Sequence, residues 1–407
     1  MKLFHTADWH LGKLVQGVSM IEDQRHVLRQ FVDDVEQERP DAVIIAGDLY
    51  DRAVPPTEAV QLLDEVLETI VLRLRIPVLA IAGNHDSPGR LDFASGIMKA
   101  AGLHMAGELR VPFERVTLRD EHGDVHVHLI PYAEPSIVRH VLQDDTIRTH
   151  DDAMRAITER IRESIDPASR HVIVAHAYVT PGGEPGEYRI GSERPLAIGG
   201  AEYVRAEYFA GFTYAALGHL HKAHPVGTET IRYAGSPLKY SIAEEDHHKG
   251  YWIVHIDGRG EVRTEHRALK PARDLRRVAG RMEELERHPV CEDYVFVELT
   301  DPYPVLYPME RIRSVYPNAL HVSQPHVMAW LAGGSANGES AGGSGARLGR
   351  AGMDELSLFR SFFEEVCGET VPDELEQLFV EAVQELRLKE GERDASVETD
   401  DDRLRAV

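Results

Sequence analysis

The 407-residue chain predicts an α/β protein: two stacked mixed β-sheets flanked by helices, then a small α/β domain and a C-terminal helical hairpin. Three observations carry this. Short apolar or β-branched runs alternate with helix-spaced segments as far as about residue 269, the succession that gives parallel strands joined by helical crossovers. A second α/β pattern begins after Pro271, and two amphipathic stretches lie beyond a Gly/Ser-rich run.

In chain order, strands are predicted at residues 3–6, 42–46, 78–82, 125–130, 171–175, 213–217 and 251–256, from runs such as AVIIA and VLAIA. Apolar residues at helical spacing place helices at 23–38 and 57–74, between the first three strands. The later strands follow one another closely, as antiparallel neighbours do. In the second unit, 274–287 reads as a helix, 294–300 as a strand, 309–315 as a helix and 319–323 as a strand. Residues 332–352, rich in Gly, Ser and Ala, hold too little apolar surface to order themselves and are expected to act as a flexible linker. Beyond them Leu356, Phe359, Phe362, Phe363 and Val366 share one helical face, and Leu375, Leu378, Phe379, Ala382, Val383 and Leu386 share another. Gly368 and Pro372 mark the break between the two. The expected units are 1–269, 270–331, the linker 332–352, the hairpin 353–390 and a disordered acidic tail 391–407. A tethered helical hairpin has too small a core to stand alone, so its apolar stripe needs a partner surface.

Composition is ordinary for a soluble globular protein, with 43% hydrophobic and 28% charged residues. Cys291 and Cys367 lie far apart and outside any CxxC spacing, which excludes a disulfide framework and a zinc knuckle and fits a reducing cytoplasm. No apolar run approaches the ~20 residues of a membrane span, so a cytoplasmic protein without membrane contact is expected. The net charge of −23 disfavours strong unaided binding to nucleic acid. Residues 353–407 hold 17 Asp and Glu against 6 Lys and Arg, a net of −11, so nearly half of that charge sits in the tail region.

Five polar motifs, each at the end of an apolar run, carry the chemistry: Asp8-x-His10, Gly47-Asp48-Leu49-Tyr50-Asp51, Gly83-Asn84-His85-Asp86, Ala175-His176 and Gly218-His219-Leu220-His221. Strand period puts Asp8 and His10 on one face if the chain stays extended past Thr6, and likewise His219 and His221. Asp48 can give one oxygen to each of two ions, Asn84 offers a neutral carbonyl, and the histidines offer imidazole nitrogens. Carboxylates, imidazoles and one amide together suit two divalent metals clamping the attacking and leaving oxygens of a phosphoester. Such a donor set, without thiolate, suits manganese best, with magnesium or iron as the other candidates. Alone, Asp48 would read as a turn cap, and His176 as a core histidine; the ordered series favours ligands. Of the 22 histidines most must be ordinary: His5 reads as supporting, and His126, His128, His247 and His248 as structural or surface residues. Arg52, Arg90 and Lys239 lie near site-like loops, where solvated charge is the expected role.

The series DWHLG, GDLYD, GNHD and GHLH resembles the calcineurin-like metallophosphoesterase superfamily and, within it, the SbcD nuclease subunits that partner SbcC ATPases. The resemblance spans residues 1–265 and extends to a capping domain and a hairpin that docks on the ATPase. It implies a metallophosphoesterase sandwich with one metal on Asp8, His10, Asp48 and His221, and a second on Asp48, Asn84, His176 and His219. It further implies that His85 is the general acid for the departing sugar oxygen, with Asp86 orienting His85 or its neighbours. Asp51 stands where some relatives carry a histidine. The implied activity is manganese-dependent exonuclease and endonuclease cleavage of DNA in double-strand-break processing, by a homodimer within a heterotetramer. Two rivals stand beside it: a phosphatase or phosphodiesterase for small phosphoesters, and a non-catalytic metal-binding scaffold for the ATPase.

Overall fold

The computed structural model describes residues 1–166, 168–182 and 203–325, and residues 356, 359, 360, 371, 372, 375, 376, 378 and 379. Two six-stranded sheets face each other. The first runs Val262–Ala268, Gly250–Ile256, Lys2–Thr6, Ala42–Ile45, Val78–Ile81, Leu103–Ala106. Its last four strands are parallel, and Gly250–Ile256 is antiparallel to both of its neighbours. The second runs His224–Val226, Thr228–Tyr233, Tyr214–Gly218, Arg170–His176, Gly123–Ile130, Glu114–Asp120, with the four central strands parallel.

The apolar runs are continuous rather than alternating because both faces of each sheet are covered. Leu3, Ile44, Leu79, Val127, Val172 and Val174 fill the layer between the sheets. Their strand neighbours Phe4, Val43, Ile45 and Val78 face outward against Val27, Phe31, Val35, Leu62 and Val66 of helices Ile21–Glu38 and Thr57–Glu68. On the other side Ile173, Ala175 and Leu217 pack against Val138, Met154, Ile157 and Ile161 of helices Pro135–Leu142 and His150–Arg162. Each such aliphatic side chain contributes about 1.5–3 kcal/mol on burial. Helix Ile21–Glu38 stops at Arg39, whose φ of 48° is left-handed. Helix His150–Arg162 starts with a reciprocal capping box between Thr149 and Asp152. The helix predicted over 57–74 is an α-helix only to Glu68 and closes in a π turn, Thr69–Arg73.

The smaller domain differs from expectation at its first element. Residues 274–287, predicted as one helix, form the strand Leu275–Gly280 and a short helix Met282–Leu285. The spacing of Leu275, Val278, Met282 and Leu285 imitates a helical stripe. Gly280 weakens a helix there by about 1 kcal/mol, and the backbone groups of 275–280 are taken by parallel pairing with Tyr294–Leu299. Tyr294–Leu299 pairs in turn with Ala319–Ser323, and helix Pro308–Arg313 covers the sheet around Val295, Val297, Ile312 and Tyr316. This domain has its own core yet joins the larger body: Arg273 binds the sealed Asp23 carboxylate at 3.0 and 2.6 Å, and Tyr294 donates to it at 2.9 Å.

Residues Met1–Asp301 and Val305–Gln324 make one compact unit, and Pro302–Pro304 with Pro325–Val407 make another. In the second unit residues 359–360, 375–376 and 378–379 are helical. The ring of Phe359 stacks on Phe379 at 4.2 Å, and Arg360 Nε donates to Glu376 at 2.8 Å. The linker 332–352, the tail 391–407 and most of the hairpin 353–390 lie outside the described residues.

Candidate metal centre

All five motifs meet at the ends of the central strands of both sheets, where loop backbones rather than strand period set the side chains. The chain does not stay extended past Thr6. Asp8 and His10 have φ of 54° and 45°, Asp48 has 51° and His219 has 111°. Non-glycine residues at such angles cost about 1–3 kcal/mol each and persist only where surrounding contacts over-determine them. Here the 8–11 turn zips onto the 47–49 turn: Asp8 N–H donates to Gly47 O, His10 to Asp48 O and Leu11 to Leu49 O, at 3.0, 3.0 and 2.9 Å. Gln24 Nε2 donates to the carbonyls of Trp9 and His10, and Tyr240 O–H donates to Trp9 O. Gln24 and Tyr240 carry no motif, and sequence reasoning missed both.

Three glycines let the ligands converge. A Cβ on Gly47 would lie 2.4 Å from His176 Nδ1, one on Gly83 2.2 Å from Asp48 Oδ1, and one on Gly218 1.9 Å from Ala46 O. The Gly that opens GDLYD, GNHD and GHLH is therefore a steric requirement of the site.

Asp48 stands at the centre. Its Oδ1 accepts from the His85 backbone N–H at 2.9 Å. Its Oδ2 faces His10 Nε2 at 3.6 Å on one side and His176 Nε2 at 3.4 Å on the other. The sequence suggests one oxygen for each ion; the geometry turns Oδ2 toward both halves and ties Oδ1 to backbone. In the first half His10 Nε2 and His221 Nε2 approach to 3.0 Å. In the second half Asn84 Oδ1 lies 2.9 Å from His176 Nε2 and 3.2 Å from His219 Nδ1. Asp8 Oδ1 accepts from His219 N–H at 2.9 Å, joining the halves from behind. His176 Nδ1 donates to Ala46 O at 2.9 Å, which fixes its tautomer and aims Nε2 inward.

The donors fit divalent cations. Asp8, His10, Asp48, His176, His219 and His221 are almost wholly buried, and Asp8 Oδ2 is a sealed atom with no hydrogen-bond partner. Such an orphaned oxygen costs desolvation energy unless a cation takes its lone pair. Burial and mutual charge set the protonation of these groups in the metal-free protein. Burial pushes the Asp8 carboxyl up to about 7 despite the nearby imidazoles. Burial opposes charge on His176, yet the Asp48 carboxylate pushes its pKa up to about 9. Burial also raises Asp48, but His176 beside it holds it well below the usual carboxylate range. Burial holds His10 and His219 well below the ordinary histidine value, so both are neutral donors. Asp8–Asp48–His176 and His10–Asp51–His85 each bring three donor atoms within 4.8 Å of one another, the first triplet cutting across the two expected sets and the second including Asp51 and His85, which neither set contains.

His85 sits at the rim. Its ring meets His10 edge-on at 4.7 Å, and its Nδ1 donates to Asp51 O at 2.8 Å. Asp86 touches neighbours rather than the His85 ring: it accepts from the N–H groups of Leu49, Tyr50 and Gly83 at 3.1, 3.0 and 2.9 Å, pinning both loops. Asp51 binds Lys13 at 2.8 Å and lies 3.7 Å from His10 Nδ1. Of the other histidines, His5 Nδ1 pairs with Tyr214 O–H at 2.9 Å inside the core, and His128 lies against His171 at 3.1 Å, well away from the motifs. Lys239 is paired with Asp274 at 2.9 Å.

Comparison with known proteins follows the same lines. Residues 1–223 match the family described as calcineurin-like phosphoesterase, and residues 271–366 match the type 5 capsule protein repressor C-terminal domain. The chain is 36% identical over 327 residues to the SbcD chain of the SbcCD nuclease of Staphylococcus epidermidis, covering 79% of this chain and 85% of that one. Among solved structures, a Thermus thermophilus protein aligns at 13% identity and TM-score 0.36, and a dimetal phosphatase from Danio rerio at 13% and 0.35. Each covers 65% of this chain and 98% of its own, a likeness too loose to carry weight. On the family matches and the Staphylococcus epidermidis relative, the chain belongs to the SbcD nuclease-subunit family of calcineurin-like phosphoesterases.

Proposed function

We propose that the chain hydrolyses DNA phosphodiesters as the nuclease subunit of an SbcCD-type complex, using two divalent ions, with manganese the physiological choice. The carrying observation is the convergence of two buried donor sets on the single oxygen Asp48 Oδ2. Asp8, His10, Asp48 and His221 would hold one ion, and Asp48, Asn84, His176 and His219 the other. An imidazole-rich oxygen and nitrogen set without thiolate favours manganese over magnesium. When bound, the ions supply Lewis-acid charge and a nucleophile at neutral pH.

The protein's own groups do the rest. The strained turns pre-set the ligands, so little reorganisation accompanies reaction. His85, held through Nδ1, presents Nε2 to protonate the leaving sugar oxygen, a task suited to an imidazole. Asp86 keeps the two loops in register through three backbone N–H groups. Exonuclease action on duplex ends and endonuclease action on single strands or hairpins are the proposed modes. The capping domain, residues 270–331, and an SbcC-type ATPase docked on the 353–390 hairpin would select the DNA, within a heterotetramer built on a homodimer. The exposed Leu375 and Leu378 suit such docking.

Manganese titration of bis(p-nitrophenyl) phosphate hydrolysis tests the centre without DNA or partner. The wild-type chain should need manganese for turnover and Asp48→Ala should abolish it; an undiminished rate in Asp48→Ala sinks the proposal.

A further inference from the structure

Behind the proposed ligand His221 lies a buried ion pair. His221 Nδ1 is 3.0 Å from Glu244 Oε1, and Glu244 Oε2 is 2.5 Å from Lys249 Nζ. The three side chains are only 2, 2 and 5% exposed. Lys249 Nζ also donates to the His221 carbonyl at 2.8 Å and to Ser236 Oγ at 2.7 Å. One lysine therefore holds both the backbone of His221 and the carboxylate on its ring. With Nδ1–H committed to Glu244, the ring presents Nε2, the atom that meets His10 Nε2 at 3.0 Å. A sealed charge pair is costly to desolvate and gives little net stability over apolar packing. A carboxylate behind a metal-binding imidazole, in contrast, fixes the tautomer and raises ligand basicity.

The segment carrying Glu244 is also gripped by the smaller domain. Glu244 ends the short 3-10 helix Ile242–Glu244. The next residue, Glu245, accepts from the Arg277 backbone N–H at 3.2 Å and pairs with its guanidinium at 3.4 Å. Ahead of the helix, Lys239 pairs with Asp274 at 2.9 Å and donates to Leu275 O at 3.3 Å. Asp274, Leu275 and Arg277 belong to the first strand of the smaller domain or its start.

We infer that Glu244 is a positioning residue for His221, and that the smaller domain, through Arg277 and Glu245, sets how firmly the His10–His221 half of the centre holds its ion. This deepens the two-metal reading and rests on it. The domain that would select DNA is thereby linked to one metal site by two consecutive glutamates.

Calorimetric titration of the full-length, metal-stripped protein with Mn2+ tests this without turnover. Wild type should show two binding events; a wild type that binds no ion overturns the two-metal reading and this inference with it. Glu244→Gln should weaken one event about 10- to 100-fold, the usual effect of losing such a partner, and leave the other unchanged. The double variant Glu244→Gln with Lys249→Met removes both buried charges and carries the same expectation, so a folding failure of the single variant does not shelter the idea. Arg277→Ala should weaken the same event by a smaller factor, with unfolding in EDTA unaltered. Two unaltered binding events in the Glu244 variants overturn the positioning role, and an unaltered event in Arg277→Ala overturns the link to the smaller domain.

Discussion

Replacing Gly83 by alanine is a minimal change with a large expected effect. The new Cβ would stand 2.2 Å from Asp48 Oδ1 and 2.4 Å from Asp48 N. Real Cβ contacts do not fall below 3.0 Å, so the carboxylate must retreat by about 1 Å. It would lose its bond from His85 N–H, now 2.9 Å, and carry Oδ2 away from both halves of the centre. Overpacking of this kind costs about 1–3 kcal/mol, which in a domain this large lowers the melting temperature by only a few degrees. A misplacement of about 1 Å in a catalytic group, by contrast, costs about 10²-fold in rate. Gly83→Ala should therefore remain folded by circular dichroism, melt slightly early, and lose about 10²-fold or more in manganese-dependent hydrolysis of a small phosphodiester. Gly96→Ala is the control, since a Cβ there meets nothing within 4 Å. A Gly83→Ala rate close to that of Gly96→Ala would refute the steric account of the motif glycines.

His85→Gln should bind two Mn2+ as wild type does while losing about 10²–10⁴-fold in turnover, because it removes the proton donor and no ligand; loss of metal would move His85 into the ligand set. Burial pushes the pKa of both His5 and His128 down to about 3. Their contribution to stability is full above the unfolded value of about 6.5 and is lost as pH falls toward 3. Denaturant unfolding in EDTA should show stability falling with acid by up to about 1.4 kcal/mol per pH unit for each group, and His128→Phe should flatten that slope; an unchanged slope contradicts the assignment. Deleting residues 353–407 should abolish ATPase-partner binding in gel filtration and leave small-diester hydrolysis intact, and a retained complex refutes the hairpin as the docking element.

The strands are legible because they are buried on both faces: AVII of 42–45 and VLAI of 78–81 have no polar face to blur them. In the second sheet the edge strand Glu114–Asp120 and the inner strand Thr228–Tyr233 mix exposed polar residues into their pattern and give no comparable signal. The strand Leu275–Gly280 reads as helix because its partners, 19 residues or more away in sequence, decide its state. At the site, the motif residues are legible as a set, and the geometry brings all seven proposed ligands and His85 together. The route is not: strand period implies extension past Thr6, whereas left-handed turns at Asp8 and His10 aim the side chains. Glu244, Lys249, Gln24 and Tyr240 are invisible in the sequence because single polar residues outside any motif gain meaning only from what the fold sets beside them.

The central claim is a two-metal nuclease centre in which His85 acts on the leaving group. Its most direct test is manganese-dependent degradation of end-labelled linear duplex DNA by the full chain and by His85→Ala, alone and with the ATPase partner. The account predicts degradation by the wild type that chelation stops and that the His85 variant lacks while still binding metal. Equal degradation by both proteins, or none by the wild type even with its partner present, would contradict it.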